Sequence, residues 1–200
     1  MNQVIVATGN RGKLREIGEI CRGLPFEFLA LKDRFDPVPV IPEDGRTFLE
    51  NARQKAQWVY SRTKVWSLAD DSGLEVDFLG GMPGVQSARY AGNGASDAQR
   101  ISKLLAACAQ CPAEKRTARF RCVVVFIRGD GDEIIGEGTC EGRIGYEPKG
   151  SDGFGYDPVF YPSGYDRTFA ELAAQEKNAI SHRGKALRAL RRILDEHYKG

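Results

Sequence analysis

Apolar positions along the chain alternate between strand-like runs and helix-spaced stripes. Gln3 to Ala7 is a compact apolar run that breaks at Thr8-Gly9-Asn10. Leu14, Ile17 and Ile20 then recur at helical spacing up to Gly23, so the opening unit is strand, loop, helix. Phe48, Leu49, Ala52, Ala56 and Val59 trace a second amphipathic helix. Trp66 to Ala69 reads as a short strand running into Asp70-Asp71-Ser72-Gly73, which puts acidic residues at a strand end. Ser96 or Asp97 caps a helix whose apolar face is Ile101, Leu104, Leu105 and Cys108, closed by Cys111-Pro112. Ala118 to Arg128 is the strongest strand, rich in aromatic and β-branched residues; Gly129-Asp130-Gly131-Asp132 makes its turn and Glu133 to Ile144 pairs back as a hairpin. Thr168 and Glu171 have capping-box spacing, and Leu187, Leu190, Ile193 and Leu194 mark a final helix ending near Tyr198. The order is mixed α/β. No repeat or long linker divides it, so residues 1–200 read as one domain, with the Gly-rich stretch 80–94 as a candidate interlobe loop.

Composition narrows the choice of partners. With 29 basic and 27 acidic residues the formal charge is +2, too small for a global field that draws nucleic acid or membrane. The segment from Met1 to Thr8 holds too few apolar residues for a signal peptide or a span, which predicts a cytoplasmic protein. Cys21, Cys108, Cys111, Cys122 and Cys140 are odd in number and scattered, so they read as reduced, structural thiols. Cys108-x-x-Cys111 lacks a second pair at zinc spacing.

Four segments carry candidate chemistry. Thr8-Gly9-Asn10-Arg11-Gly12-Lys13 turns from strand to helix, where backbone N–H groups and the helix dipole favour phosphate and Lys13 adds charge. It is not a Walker A loop: two residues rather than four separate Gly9 from Gly12-Lys13, and Leu14 follows. Asp70 and Asp71 form a carboxylate pair suited to a hard cation such as Mg²⁺, with Glu43-Asp44 as a further oxygen source. In Asp152-Gly153-Phe154-Gly155-Tyr156-Asp157-Pro158 the glycines let backbone approach a flat ligand on which the rings stack, a description a purine fits. Lys177 to Gly184, with His182 and Arg183, sits at the entry of the last helix, where cations oppose the dipole unless an anion joins them. Taken singly, each segment reads at least as readily as an ordinary turn or a solvated face, and Asp70-Asp71-Ser72-Gly73 more readily as a solvated turn.

Taken in order, they resemble the inosine triphosphate pyrophosphatase family of non-canonical purine nucleoside triphosphate pyrophosphatases. The resemblance runs through Thr8-x-Asn10-x-x-Lys13, Thr47-Phe48-x-Glu50-Asn51-Ala52, Ala69 to Leu74, and Gly81-x-Pro83-Gly84-x-x-Ser87-Ala88-Arg89-Tyr90. It resumes at Gly153 to Pro158 and ends with Glu176-Lys177-x-x-x-Ser181-His182-Arg183-Gly184. It implies a long curved mixed sheet with helices, two lobes flanking a central active-site cleft, and a homodimer. It also implies hydrolysis of ITP, dITP or XTP to the monophosphate and pyrophosphate, with Mg²⁺ as cofactor. Carried over by position, Thr8, Gly9, Asn10, Arg11, Gly12 and Lys13 hold the triphosphate with Lys55 nearby; Asp71 is metal ligand and proton acceptor; and Glu43 is the second ligand. Ser72, Phe154, Gly155, Tyr156, Asp157, Lys177, His182 and Arg183 contact substrate. His182 or Arg183 is the expected donor to the purine 6-carbonyl, which adenine lacks.

Two other readings remain at this point. One is a pyrophosphatase for other nucleotides with the same metal chemistry. The other is an RNA-binding module using Lys185, Arg188, Arg191 and Arg192, which the near-neutral chain makes more simply a solvated helix face.

Overall fold

The computed structural model describes residues 2–129 and 131–198, so Asp130 of the expected hairpin turn lies outside the described residues. The chain is α/β, with a six-stranded mixed sheet. Strand β1 (Asn2–Val6) leads through Asn10 into helix α1 (Arg11–Ile20), and β2 (Phe26–Ala30) follows. Helix α2 (Phe48–Thr63) is capped by Thr47, whose hydroxyl accepts from Glu50 N at 3.1 Å, and ends on Lys64 in the left-handed region at φ 56°. Then come β3 (Trp66–Val76), α3 (Asp97–Ala107) behind the Ser96–Gln99 capping box, β4 (Thr117–Ile127) and β5 (Glu133–Ile144). Strand β6 (Phe160–Pro162) and helices α4 (Ala174–Ile180) and α5 (His182–Tyr198) close the chain.

The sheet order is β2-β1-β3-β4-β5-β6. β1 runs parallel to both β2 and β3, whereas β5 and β6 are antiparallel. Backbone bonds from Arg128 N to Asp132 O and from Ile144 N to Arg116 O, at the two ends of β4 and β5, fit the expected hairpin. β2 and β6 escaped the sequence reading because five and three residues are too few to show a period.

The chain divides into two compact units. The first comprises residues 1–71, 122–138 and 183–200, and the second residues 72–121 and 139–182. Each has its own core. In the first, Val4, Val6, Ile17, Leu68, Phe126, Leu187 and Leu190 pack together; in the second, Leu74, Ile101, Leu104, Phe120, Phe160 and Phe169 do so. Gly136 of β5 allows α5 its close approach, since a Cβ there would meet Ala186 O at 2.3 Å.

Three expectations are corrected. Residues 80–94 do not link the units but lie wholly within the second, around a 3-10 turn at Gly84–Arg89; the chain changes unit inside β3, β4 and β5 and at the start of α5 instead. Lys177 is not at the entry of the last helix but inside α4, which ends before Ser181. Most consequentially, Asp70-Asp71-Ser72-Gly73 does not leave the sheet: β3 continues to Val76, and both acids are buried inside it. Alternation along a strand sends neighbouring side chains to opposite faces, and each acid finds its own partners there. The desolvation cost that argued for a solvated strand end is offset by paired charge.

Candidate active site

In the first unit, Asn10 caps α1. Its side-chain oxygen accepts from Gly12 N at 2.8 Å and Lys13 N at 3.1 Å, while Thr8 Oγ1 accepts from Asn10 N at 3.2 Å. The N–H groups of Gly12 and Lys13, expected to face phosphate, are therefore occupied by the cap. Arg11, Gly9 and Asn10 stay exposed at the helix start. One turn along from the cap, Lys13 reaches β3, where its ammonium lies 3.0 Å from Asp70 Oδ2.

Asp70 is the centre of a buried charge cluster. The same Oδ2 receives Arg183 Nε at 3.1 Å and Nη2 at 3.0 Å, and Arg183 Nη1 donates to Glu16 of α1. Asp70 is 0% and Arg183 1% exposed. Burial alone raises the Asp70 pKa, but Lys13, Arg183 and Lys55 outweigh it and hold the carboxyl well below the usual carboxylate range. Cys122 Sγ lies 4.0 Å from Asp70, and burial, reinforced by that carboxylate, pushes its thiol up to about 12, so it remains an inert thiol. The anions expected beside Arg183 are thus the chain's own carboxylates. All three of its nitrogens are engaged by them, which fixes the guanidinium against Asp70 and Glu16.

The neighbouring Asp71 faces α2. Lys55 Nζ lies 3.3 Å from Asp71 Oδ1 and 2.7 Å from Glu43 Oε1, and Asn51 Nδ2 donates to Asp71 Oδ2 at 3.1 Å. Burial raises the Asp71 pKa, assisted by Glu43, and the opposing pull of Lys55, Lys13 and Asn51 does not cancel it. Lys55 is also buried, which would lower its pKa, yet Asp71, Glu43 and Asp70 together raise it and keep it an ammonium. Two carboxylates therefore converge on one cationic point. Mg²⁺ takes oxygen ligands, commonly one or two carboxylates with substrate phosphate and water, and the Glu43–Asp71 pair fits that donor set. Among the described residues no group of three His, Cys, Asp or Glu is placed to hold a metal ion.

The second unit gathers the aromatic loop. Gly153, at φ +77°, bends the backbone so that Phe154 N donates to Asp157 Oδ2 at 2.8 Å, and a Cβ on Gly153 would meet that oxygen at 2.2 Å. Asp157 Oδ2 also receives Lys177 Nζ at 2.6 Å, which sets the ammonium 4.8 Å from the centre of the Phe154 ring. Gly155 N donates to Asp97 at the start of α3, and the Tyr156 hydroxyl donates to Ser87 O at 2.9 Å. The loop is thus clamped at four successive residues. His182 stacks on Phe120, with ring centres 4.6 Å apart and planes 10° apart. Ser72, just past Asp71 on β3, is half-buried.

A model of the Ham1 family matches residues 4–193. This chain belongs to the Ham1 family. Within it, the chain is 49% identical over 191 residues to a dITP/XTP pyrophosphatase of Geobacter sulfurreducens, covering 96% of each chain. It is 45% identical over 196 residues to one of Desulforamulus reducens, covering 98% of this chain and 97% of that one. A HAM1 protein of Coxiella burnetii has the same fold, with a TM-score of 0.88 and 44% identity, covering 98% of this chain and all of that one. The Ham1 match takes in both the carboxylate cluster and the aromatic loop.

Three participants were missed from sequence: Asp70 as a charge-cluster centre, Glu16 and Asn51. Glu16 falls on the helical stripe beside Ile17, so a buried acid was legible only as one polar residue on an apolar face. The pairing of Glu16 with Arg183 spans 167 residues, a separation no local pattern reveals.

Proposed function

We propose that the chain hydrolyses non-canonical purine nucleoside triphosphates (ITP, dITP and XTP) to the monophosphate and pyrophosphate in a Mg²⁺-dependent reaction, removing them from the nucleotide pool. The observation that carries the reading is Asp71: a buried carboxylate of raised proton affinity, ringed by Lys55, Lys13 and Glu43 and unlike its neighbour Asp70. Such a group accepts a proton more readily than an ordinary aspartate. In this reading Asp71 takes the proton of the water that attacks the α-phosphorus, and Lys13 and Lys55 neutralise charge on the departing pyrophosphate. Mg²⁺, held by Glu43 and Asp71, supplies further charge neutralisation on the phosphate oxygens.

Phe154, Tyr156 and the glycines around them suit a flat base, with Lys177 fixed by Asp157 beside the Phe154 ring. His182 is the proposed donor to the 6-carbonyl, Arg183 being committed to Asp70 and Glu16. Ser72 is a further substrate contact. Activity in the cytoplasm as a homodimer completes the proposal; no described helix is long and apolar enough to cross a membrane.

Pyrophosphate release from ITP, dITP, XTP, GTP and ATP, with and without Mg²⁺, tests it. Turnover of the first three, at least tenfold above the last two and lost on chelation, is expected. Equal turnover of all five would overturn the substrate assignment, and metal-independent turnover would overturn the chemistry.

A further inference from the structure

We infer that Asn51 is a positioning residue: one side-chain amide sets both the rotation of Asp71 and the approach of the Glu43 loop, so that the two carboxylates face a single divalent cation. The inference rests on the metal-dependent reading above and assigns Asn51 a role within it.

Asn51 is 1% exposed and lies in the first turns of α2. Its Nδ2 donates to Asp71 Oδ2 at 3.1 Å, and its Oδ1 accepts from Gly45 N at 2.8 Å. Gly45 is two residues beyond Glu43. The amide is thus a bridge between β3 and the loop before α2. Its orientation is over-determined: turning it by 180° would set its oxygen against a carboxylate and its NH₂ against an N–H. Lys55, one helical turn further on, binds the other oxygen of Asp71 and also Glu43. The two oxygens of Asp71 are therefore addressed separately from the same helix, Oδ2 by an amide and Oδ1 by an ammonium.

The division matters because the two contacts differ in kind. Lys55 attracts either oxygen and fixes no rotation, whereas a directional N–H bond to Oδ2 holds the carboxylate plane and leaves Oδ1 toward Glu43. The loop is held just as closely. A Cβ on Gly45 would lie 2.7 Å from Glu50 Cβ and 2.8 Å from Asn51 Oδ1, so the backbone sits directly on the amide and on the helix. Displacing the amide would leave Glu43 and Asp71 joined through Lys55 but without the two bonds from Asn51 that hold the loop and the Asp71 Oδ2 in place.

The test uses Asn51→Leu, which keeps the branched shape while removing donor and acceptor, and Asn51→Ser, which is too short to bridge. The probes are Mg²⁺ itself, followed by the rise in melting temperature it induces without nucleotide, and steady-state ITP turnover across Mg²⁺ concentrations. Both variants should need about 10- to 100-fold more Mg²⁺ for the half-maximal thermal rise and for half-maximal rate. At saturating Mg²⁺, kcat should stay depressed while KM for ITP moves less than about threefold, since Asn51 bonds Asp71 and the backbone of the Glu43 loop rather than the nucleotide. If either folded variant keeps the parent's Mg²⁺ response and kcat while losing only stability, Asn51 is merely structural and the inference fails. If the parent shows no Mg²⁺-induced rise, the two-carboxylate site and the inference fail together. Loss of ITP turnover in the parent would instead sink the proposed function, which the parent's own assay reads independently.

Discussion

Asp70 and Asp71, adjacent on β3 and both buried, are driven in opposite directions: Lys13 and Arg183 hold one a firm carboxylate, while burial raises the proton affinity of the other. Two titratable groups whose surroundings separate them in this way are a signature of divided labour. One fixes charge in place and the other is kept ready to exchange a proton.

Asp71→Asn is expected to cut kcat for ITP by about 10²- to 10⁴-fold while KM changes little. The raised pKa means that burial disfavours the ionised form, but Asp71 is also a counter-charge to the buried Lys55, so the two effects oppose and stability at pH 7 should change only modestly. Pyrophosphate release and urea denaturation check the two halves. Full turnover in the variant would remove Asp71 from the reaction.

Asp70 should control the acid limit of the fold. Its folded pKa lies below its unfolded value, so its stabilisation is complete above roughly pH 4 and is lost as pH falls toward the depressed native value. Urea midpoints measured from pH 6 downward should decline in that window, and Asp70→Asn should flatten the decline while lowering stability at pH 7. A variant with the parent's slope would show that other carboxylates govern the acid limb.

Arg183→Met leaves Asp70 and Glu16 buried without their guanidinium. Stability should fall by about 3–5 kcal/mol, the usual consequence of removing one partner from a buried ion pair. Glu16→Gln alone should cost less, and the double variant should destabilise by less than the sum of the two, because the residues share one network. Additivity would argue against coupling.

Gly153→Ala should disturb base selection rather than phosphate chemistry. The residue is at φ +77°, and the new methyl would press on Asp157 Oδ2, the oxygen that holds both Phe154 N and Lys177. A cost of about 1–3 kcal/mol is expected from the backbone alone. KM for ITP should rise and the ITP-to-ATP preference narrow; unchanged preference would detach the loop from base recognition.

Much of this was legible in the chain because local signals agreed with the fold. The β4–β5 hairpin follows from its β-branched run and turn, and α3 from its cap at Ser96 and the stripe Ile101, Leu104, Leu105 and Cys108. The strand reading stopped at Ala69 because neighbouring acids argue for solvent; the partners that make burial of Asp70 tolerable lie 57 residues upstream, in Lys13, and 113 downstream, in Arg183, while those of Asp71 are Asn51 and Lys55 on α2. Asn10 read as a phosphate contact because a polar side chain at a helix start serves a ligand and a cap alike; its Oδ1 also caps α1, a role that local sequence does not separate from the other. Pairings of that range are properties of topology, not of local sequence.

The Arg183 guanidinium enters the chain long after the acids it pairs with, which carries a timing consequence. Glu16 and Asp70 emerge early, 167 and 113 residues ahead of it, and Gly136 provides the seat into which α5 fits. Until Arg183 is added, Glu16 lacks its guanidinium and Asp70 pairs with Lys13 without it. The charge cluster can therefore close only after that residue joins the chain, which makes its assembly a late step of folding.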